Sequence, residues 1–189
     1  MKKIITIITM LTFTLGCAQV LPITHDSTLR VPQGAHVKDL NGLFYPYIGT
    51  WQGTWNGKLF TLKIENYADK LNSFPSGYYY YEDQLIAKYK VIEIATGSAI
   101  ESTMEISNLD NAKIESLGYP KDNEFDFLYS DIDKCGNTGR FRLEGNPATN
   151  QLQYFYIYEG FWISNDCTYQ SKEDIPINIP IGTLTLTKI

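Results

Sequence analysis

Asn56-Gly57 separates two stretches, residues 47–55 and 58–66, and no other pair of residues constrains the fold of this chain as strongly. Both residue types accept a positive φ, so the pair makes the tight turn whose twist matches two antiparallel strands. In the second stretch Phe60, Leu62 and Ile64 alternate with Thr61, Lys63 and Glu65, the pattern of a strand with one wet face. The same period of two returns along the chain. Leu85, Ala87, Tyr89 and Val91 share a face of 84–94, and Phe125 and Phe127 share one of 124–130. Residues 139–144 and 151–159 flank a turn-forming Gly145-Asn146-Pro147 stretch, and 182–189 places Leu184, Leu186 and Ile189 among threonines. Shorter strands are expected at 78–81, 99–106 and 110–117. After residue 18 no window carries a helical period, and one short turn is expected around 37–43. The expectation is an all-β fold: about eight to ten antiparallel strands in an up-and-down meander that closes into a barrel and so removes its edges.

The first 18 residues have a different character. Met1-Lys2-Lys3 precedes an apolar run, Ile4 to Leu15, too short to cross a bilayer, and Gly16-Cys17-Ala18 follows. This is the pattern of an export signal. Two processing routes are open. In one, Cys17 is lipidated and becomes the first mature residue, although Thr14 stands where a branched aliphatic residue is usual. In the other, cleavage after Ala18 releases a soluble protein beginning at Gln19. The protein is then expected in the periplasm or attached to a membrane as a lipoprotein, otherwise secreted, with membrane contact only through a lipid on Cys17. Residues 19–43, broken by Pro22, Pro32 and Gly34, read as a tether, and 44–189 as a single barrel domain. The net charge of −5 argues against nucleic acid as a partner.

Either route leaves Cys135 and Cys167, an even pair in an oxidising compartment, which is expected to form a disulfide. A metal site on these thiols lacks a nearby histidine and the C-x-x-C spacing. The two histidines, His25 and His36, both lie in the expected tether, so the barrel cannot build a Ser-His or Cys-His dyad from its own residues. Asp122, Glu124 and Asp126 alternate on one strand, as a carboxylate-based glycosidase or a solvated acidic face would have them. Asp131, Asp133, Cys135 and Gly136 follow the start of a calcium loop, but Cys135 replaces a ligand and Arg142 stands where the closing Glu belongs. No catalytic residue, cofactor or metal ligand is assigned.

Aromatic side chains are the feature that points to binding. The chain has 14 tyrosines, four of them consecutive at Tyr78-Tyr79-Tyr80-Tyr81. In Tyr154-Phe155-Tyr156-Ile157-Tyr158 the tyrosines share one face and Phe155 and Ile157 the other. Tyr154, Tyr156 and Tyr158, with Trp162, are the candidate ligand-facing residues for a small amphipathic molecule or a sugar. Tyrosine is also a good strand residue, which explains the same ribbon without a ligand.

Gly49-Thr50-Trp51 at the start of the first long strand resembles the Gly-x-Trp of lipocalin-like barrels (calycins). That resemblance implies that Trp51 plugs one barrel end beneath a basic side chain, for which Lys188 is the candidate. The signal ending in Cys-Ala-Gln, Tyr47-Ile48-Gly49-Thr50-Trp51, Lys134-Cys135-Gly136 and the closing Leu184-Thr185-Leu186-Thr187-Lys188-Ile189 together resemble a family of uncharacterised exported bacterial proteins, which implies no activity. The expected function is non-catalytic binding of a small or amphipathic ligand in the barrel. The rival is an envelope interaction protein with a packed barrel, followed by an outer-membrane barrel and, last, a glycosidase. A wide lumen favours the carrier and a filled one favours the interaction protein.

Overall fold

The computed structural model describes residues 19–24, 30–145, 149–160, 167–169, 171 and 174–189, with backbone alone at 158 and 159. Cys17, His25 and Trp162 lie outside the described residues. Eleven strands run in order: β1 (Val20–Pro22), β2 (His36–Lys38), β3 (Gly49–Trp55), β4 (Lys58–Ser73), β5 (Tyr79–Glu93), β6 (Ala99–Ser102), β7 (Ile114–Ser116), β8 (Glu124–Asp131), β9 (Asn137–Glu144), β10 (Gln151–Gly160) and β11 (Gly182–Lys188). Among the described residues, two complete 3₁₀ turns, Leu109–Asn111 and Ile132–Lys134, are formed. Among the described residues no helix is long and apolar enough to cross a membrane.

Eight strands form a closed antiparallel barrel in the order β3-β4-β5-β7-β8-β9-β10-β11. Two contacts close the ring: β11 returns to β3 through Lys188 opposite Trp51, and β5 meets β7 through Ala87 opposite Ile114. The β3–β4 turn has φ of 49° at Asn56 and 74° at Gly57, the left-handed conformation that this pair admits cheaply. The expected strands at 78–81 and 84–94 are one continuous β5. Its second edge is shared among three partners: β2 at Tyr81 and Glu82, β7 in the middle, and β6 near the far end.

The described residues of the expected tether, 19–24 and 30–43, pack against the sheet rather than hanging free. β1 and β2 pair in parallel, and β2 pairs in parallel with β5. Leu21, Ile23, Ala35 and Val37 are buried there. The exposed edge of β5 supplies hydrogen-bond partners that this stretch cannot find alone. Around 37–43, β2 and a turn replace the expected helical turn. The Asp39 carboxylate accepts the backbone N–H groups of Leu43 and Phe44 at 2.8 and 2.9 Å, which fixes the path into β3.

The lumen is filled. Phe60 on β4 and Tyr154 on β10 belong to strands that are not neighbours, yet their ring centres are 5.7 Å apart. From Tyr154 the contacts continue to Phe141 at 5.2 Å and from there to Phe127, stacked at 5.0 Å. A second series runs from Phe60 through Tyr89 and Tyr129 to Tyr156. Eight strands make a barrel just wide enough for side chains to fill, and these rings fill it. Tyr156 fits because residue 139 is glycine: a Cβ at Gly139 would overlap the phenol ring of Tyr156.

Candidate binding surface

Two of the residues expected to face a ligand, Tyr154 and Tyr156, are core residues. Tyr154 and Tyr156 are 1% and 2% exposed, and the Tyr154 hydroxyl donates to the carbonyl of Pro180 at 3.1 Å. Their neighbours Phe155 and Ile157 are the exposed ones. Both faces of this ribbon are large and apolar, so the alternation alone does not tell inside from outside; the closure of the ring does. Of the Tyr158 side chain and of Trp162 nothing is described.

Trp51, expected to plug a barrel end, is buried where β3 meets β11. Its indole N–H donates to the carbonyl of Tyr47 at 2.8 Å, and the Lys188 ammonium lies 5.2 Å from the ring centre. Gly49 makes room for that lysine, since a Cβ there would stand 2.6 Å from Lys188 Cε. Phe44 and Tyr47 pack on Phe125 beside it. Burial, with the charge of Glu124 behind it, pushes the Tyr47 phenol up to about 12.

The opposite end is polar. The Asp131 carboxylate is fully buried; it accepts from Lys113 at 2.7 Å and from the Tyr129 hydroxyl at 3.1 Å. Glu101 accepts from Lys134, from the Tyr89 hydroxyl and from Asn178. Burial alone would raise the Glu101 carboxyl, but the hydrogen bonds from Lys134, Tyr89 and Asn178 outweigh it and hold the group below its usual range. Cys135 and Cys167 are bonded, which ties the connection between β10 and β11 to this end. Asp133, the second acid of the broken calcium loop, is 85% exposed at its side chain and pairs with Lys113. Among the described residues no group of three His, Cys, Asp or Glu side chains is arranged to hold a metal. The remaining acidic candidates, Glu124 and Asp126, are tied to Arg142 at 2.6 and 2.7 Å.

An exposed aromatic surface remains on an arm outside the barrel. β3 pairs with β4 only as far as Ile64, whereas β4 and β5 stay paired to Ser73 and Tyr79. The excess of β4 and β5, with β2 and β1 added along the β5 edge, makes an arm entered through a bulge between Tyr67 and Lys70 where Asp69 has φ of 54°. Its turn is closed by hydrogen bonds between Phe74 and the backbone of Gly77 and Tyr78. Phe74, Tyr78 and Tyr80 form one ring cluster with centres 5.4 to 6.2 Å apart. The Arg30 guanidinium covers Tyr78 at 4.8 Å. Tyr79 and Tyr81 form a second cluster, and Tyr81 stacks on His36 at 4.6 Å. Leu71, Phe74 and Tyr79 are 52%, 46% and 37% exposed and line a shallow open recess with Ser73 and Gly77. Asn72 and Glu82, bonded at 3.4 Å, belong to the other face of the arm, with Tyr80. The four-tyrosine run marked this arm in the sequence. Its projection beyond the ring depends on where β3 ends.

A protein-family model, described as a family of unknown function, matches residues 1–189. No curated protein and no solved structure matches the chain.

Proposed function

We propose a function on the premise that the chain belongs to the DUF6705 family of unknown function: it is an exported, non-catalytic binding protein that recognises its ligand on the aromatic arm. The observation that carries this reading is the filled lumen, in which rings from non-neighbouring strands are in contact. That packing favours surface recognition over a ligand carried inside. The ligand class best suited to the arm is an extended saccharide. Exposed phenol and phenyl rings offer faces to sugar C–H groups, while Ser73 and the Tyr79 hydroxyl offer hydrogen-bond partners beside them. A shallow recess cannot enclose a small molecule to the 70–90% that tight small-ligand sites reach, so a long ligand crossing the arm fits better.

Export rests on the basic start and short apolar run of residues 1–18, and membrane attachment on a lipid at Cys17. Labelling with a fatty-acid analogue marks the wild type and spares Cys17→Ser if this is right. An unlabelled wild type beginning at Gln19 overturns the lipid anchor. For the arm, the purified protein is titrated with soluble oligosaccharides and pulled down on insoluble polysaccharides. Phe74→Ala and Tyr79→Ala are expected to weaken capture at least tenfold with the thermal midpoint unchanged. Capture by no saccharide, or capture indifferent to both variants, refutes the saccharide reading.

A further inference from the structure

The aromatic recess of the arm does not stop at Tyr81. On the face that carries the recess, Leu71 and His36 flank Tyr81 from the strands on either side. At the bulge, one row or about 7 Å further on, Asp69 and Lys38 meet above Asp83. The Asp69 carboxylate accepts from His36 Nδ1 at 2.6 Å and from Lys38 Nζ at 2.5 Å. Asp83 is buried beneath them and accepts from Lys38 and from the backbone N–H groups of Asp39 and Asp69. Tyr81 joins the recess to this cluster, because it lines the one and stacks on His36 in the other at 4.6 Å. A bulge re-aims side chains, and the extra residue in β4 turns Asp69 onto this face. The side chains of His36 and Asp69 stay 28% and 42% exposed, so the cluster is open to a ligand that crosses the recess.

We infer that the saccharide site of the arm continues onto this cluster, where His36, Lys38 and Asp69 hold neighbouring free hydroxyls of a neutral sugar. The inference rests on the saccharide reading of the arm and narrows it to a class. Each of the three groups keeps capacity beyond its own contacts. A carboxylate has about four lone-pair sites and Asp69 gives one each to His36 and Lys38; an ammonium has three hydrogens and Lys38 gives two to the carboxylates. With Nδ1 given to Asp69, the imidazole keeps Nε2, which accepts when the ring is neutral and donates when it is protonated. A hydroxyl serves all three, since it donates and accepts through one atom. Lys38, and after it His36, holds the Asp69 carboxyl below its usual range, which keeps it an acceptor. Charge disfavours the other sugars. The exposed ions Lys38 and Asp69 cancel, and Asp83 leaves no surplus positive charge for a uronic acid. An amino sugar would set its ammonium beside that of Lys38, which already joins both carboxylates.

The test is calorimetric titration of the full-length protein with cellohexaose, mannohexaose and xylohexaose as neutral probes, hexagalacturonate as the anionic one and the glucosamine hexamer as the cationic one. At least one neutral probe is expected to bind, and both charged ones at least tenfold more weakly. His36→Phe keeps a ring against Tyr81 and deletes Nε2; it should weaken the neutral probe about tenfold with the thermal midpoint unchanged. Methylating two neighbouring hydroxyls of that probe should weaken its binding to the wild type by as much, and to His36→Phe by little more. A merely structural histidine would not give that coupling. If His36→Phe does not fold, Asp69→Asn carries the same cycle, since asparagine accepts the positive φ at this position. Neutral-probe binding indifferent to both variants, or a charged probe bound best, overturns this inference; the arm reading survives if Phe74→Ala and Tyr79→Ala still weaken binding. Binding of no probe overturns it as well, alone if insoluble polysaccharide is still captured and together with the arm reading if it is not.

Discussion

Trp51→Ala is the substitution whose cost can be worked out most fully. The indole is 1% exposed, so its removal deletes essentially all of a large apolar contact. It also frees the Tyr47 carbonyl from its 2.8 Å bond and takes the ring from beneath Lys188. Large aromatic-to-alanine changes in cores cost about 3–5 kcal/mol, the upper part applying where the site cannot collapse. Collapse is restricted here: Phe44, Tyr47 and Phe125 already pack on one another, and the β11–β3 pairing holds Lys188 opposite residue 51. A loss of about 4 kcal/mol is expected, which for a chain of this size lowers the melting temperature by roughly 8–16 °C. Lys188→Met isolates the ammonium over the ring and should cost about 1 kcal/mol. The assay is urea unfolding followed by near-ultraviolet circular dichroism, with iodide quenching to check that the indole is shielded. A loss below about 1 kcal/mol for Trp51→Ala would refute the view that this indole closes the barrel.

Other expectations test the remaining parts of the frame. Gly139→Ala drives a methyl group into the Tyr156 ring and should destabilise by about 1–3 kcal/mol, with partial relief from Tyr156→Phe in a double-mutant cycle. Replacing Cys135 and Cys167 together by Ser opens a cross-link between residues 32 apart in sequence and should cost roughly 3–4 kcal/mol in chemical unfolding. Lys113→Met leaves the buried Asp131 short of its nearest cation, 2.7 Å away, and should cost about 3 kcal/mol at neutral pH. Tyr47 and Tyr154 are both raised above the ordinary phenol value of 10, Tyr47 to about 12, because burial disfavours the phenolate. Their contribution is complete below pH 10 and is lost as pH rises from there through about 12, so phenolate absorbance should appear together with loss of tertiary dichroism. Tyrosines titrating while the dichroism is intact would contradict this.

The sequence by itself determined the barrel wall. Period-two alternation at Phe60, Leu62, Ile64 and at Leu85, Ala87, Tyr89 fixes which side of each strand is buried, because neighbouring side chains point to opposite faces. Asn56-Gly57 fixes the first register through its positive φ values, and Cys135 and Cys167, the pair expected from the sequence, are bonded. Local chemistry suffices in each case. Tertiary closure decided the rest. The ribbon Tyr154 to Tyr158 is apolar on both faces, so its inward side follows only from the pairing of β10 with β9 and β11. β1 and β2 have three residues each, too few to show a period, and their order comes from the open edge of β5. The two lysines and two carboxylates at the polar end come from β6, β8 and the segments beside β7 and β9, and no sequence spacing brings them together.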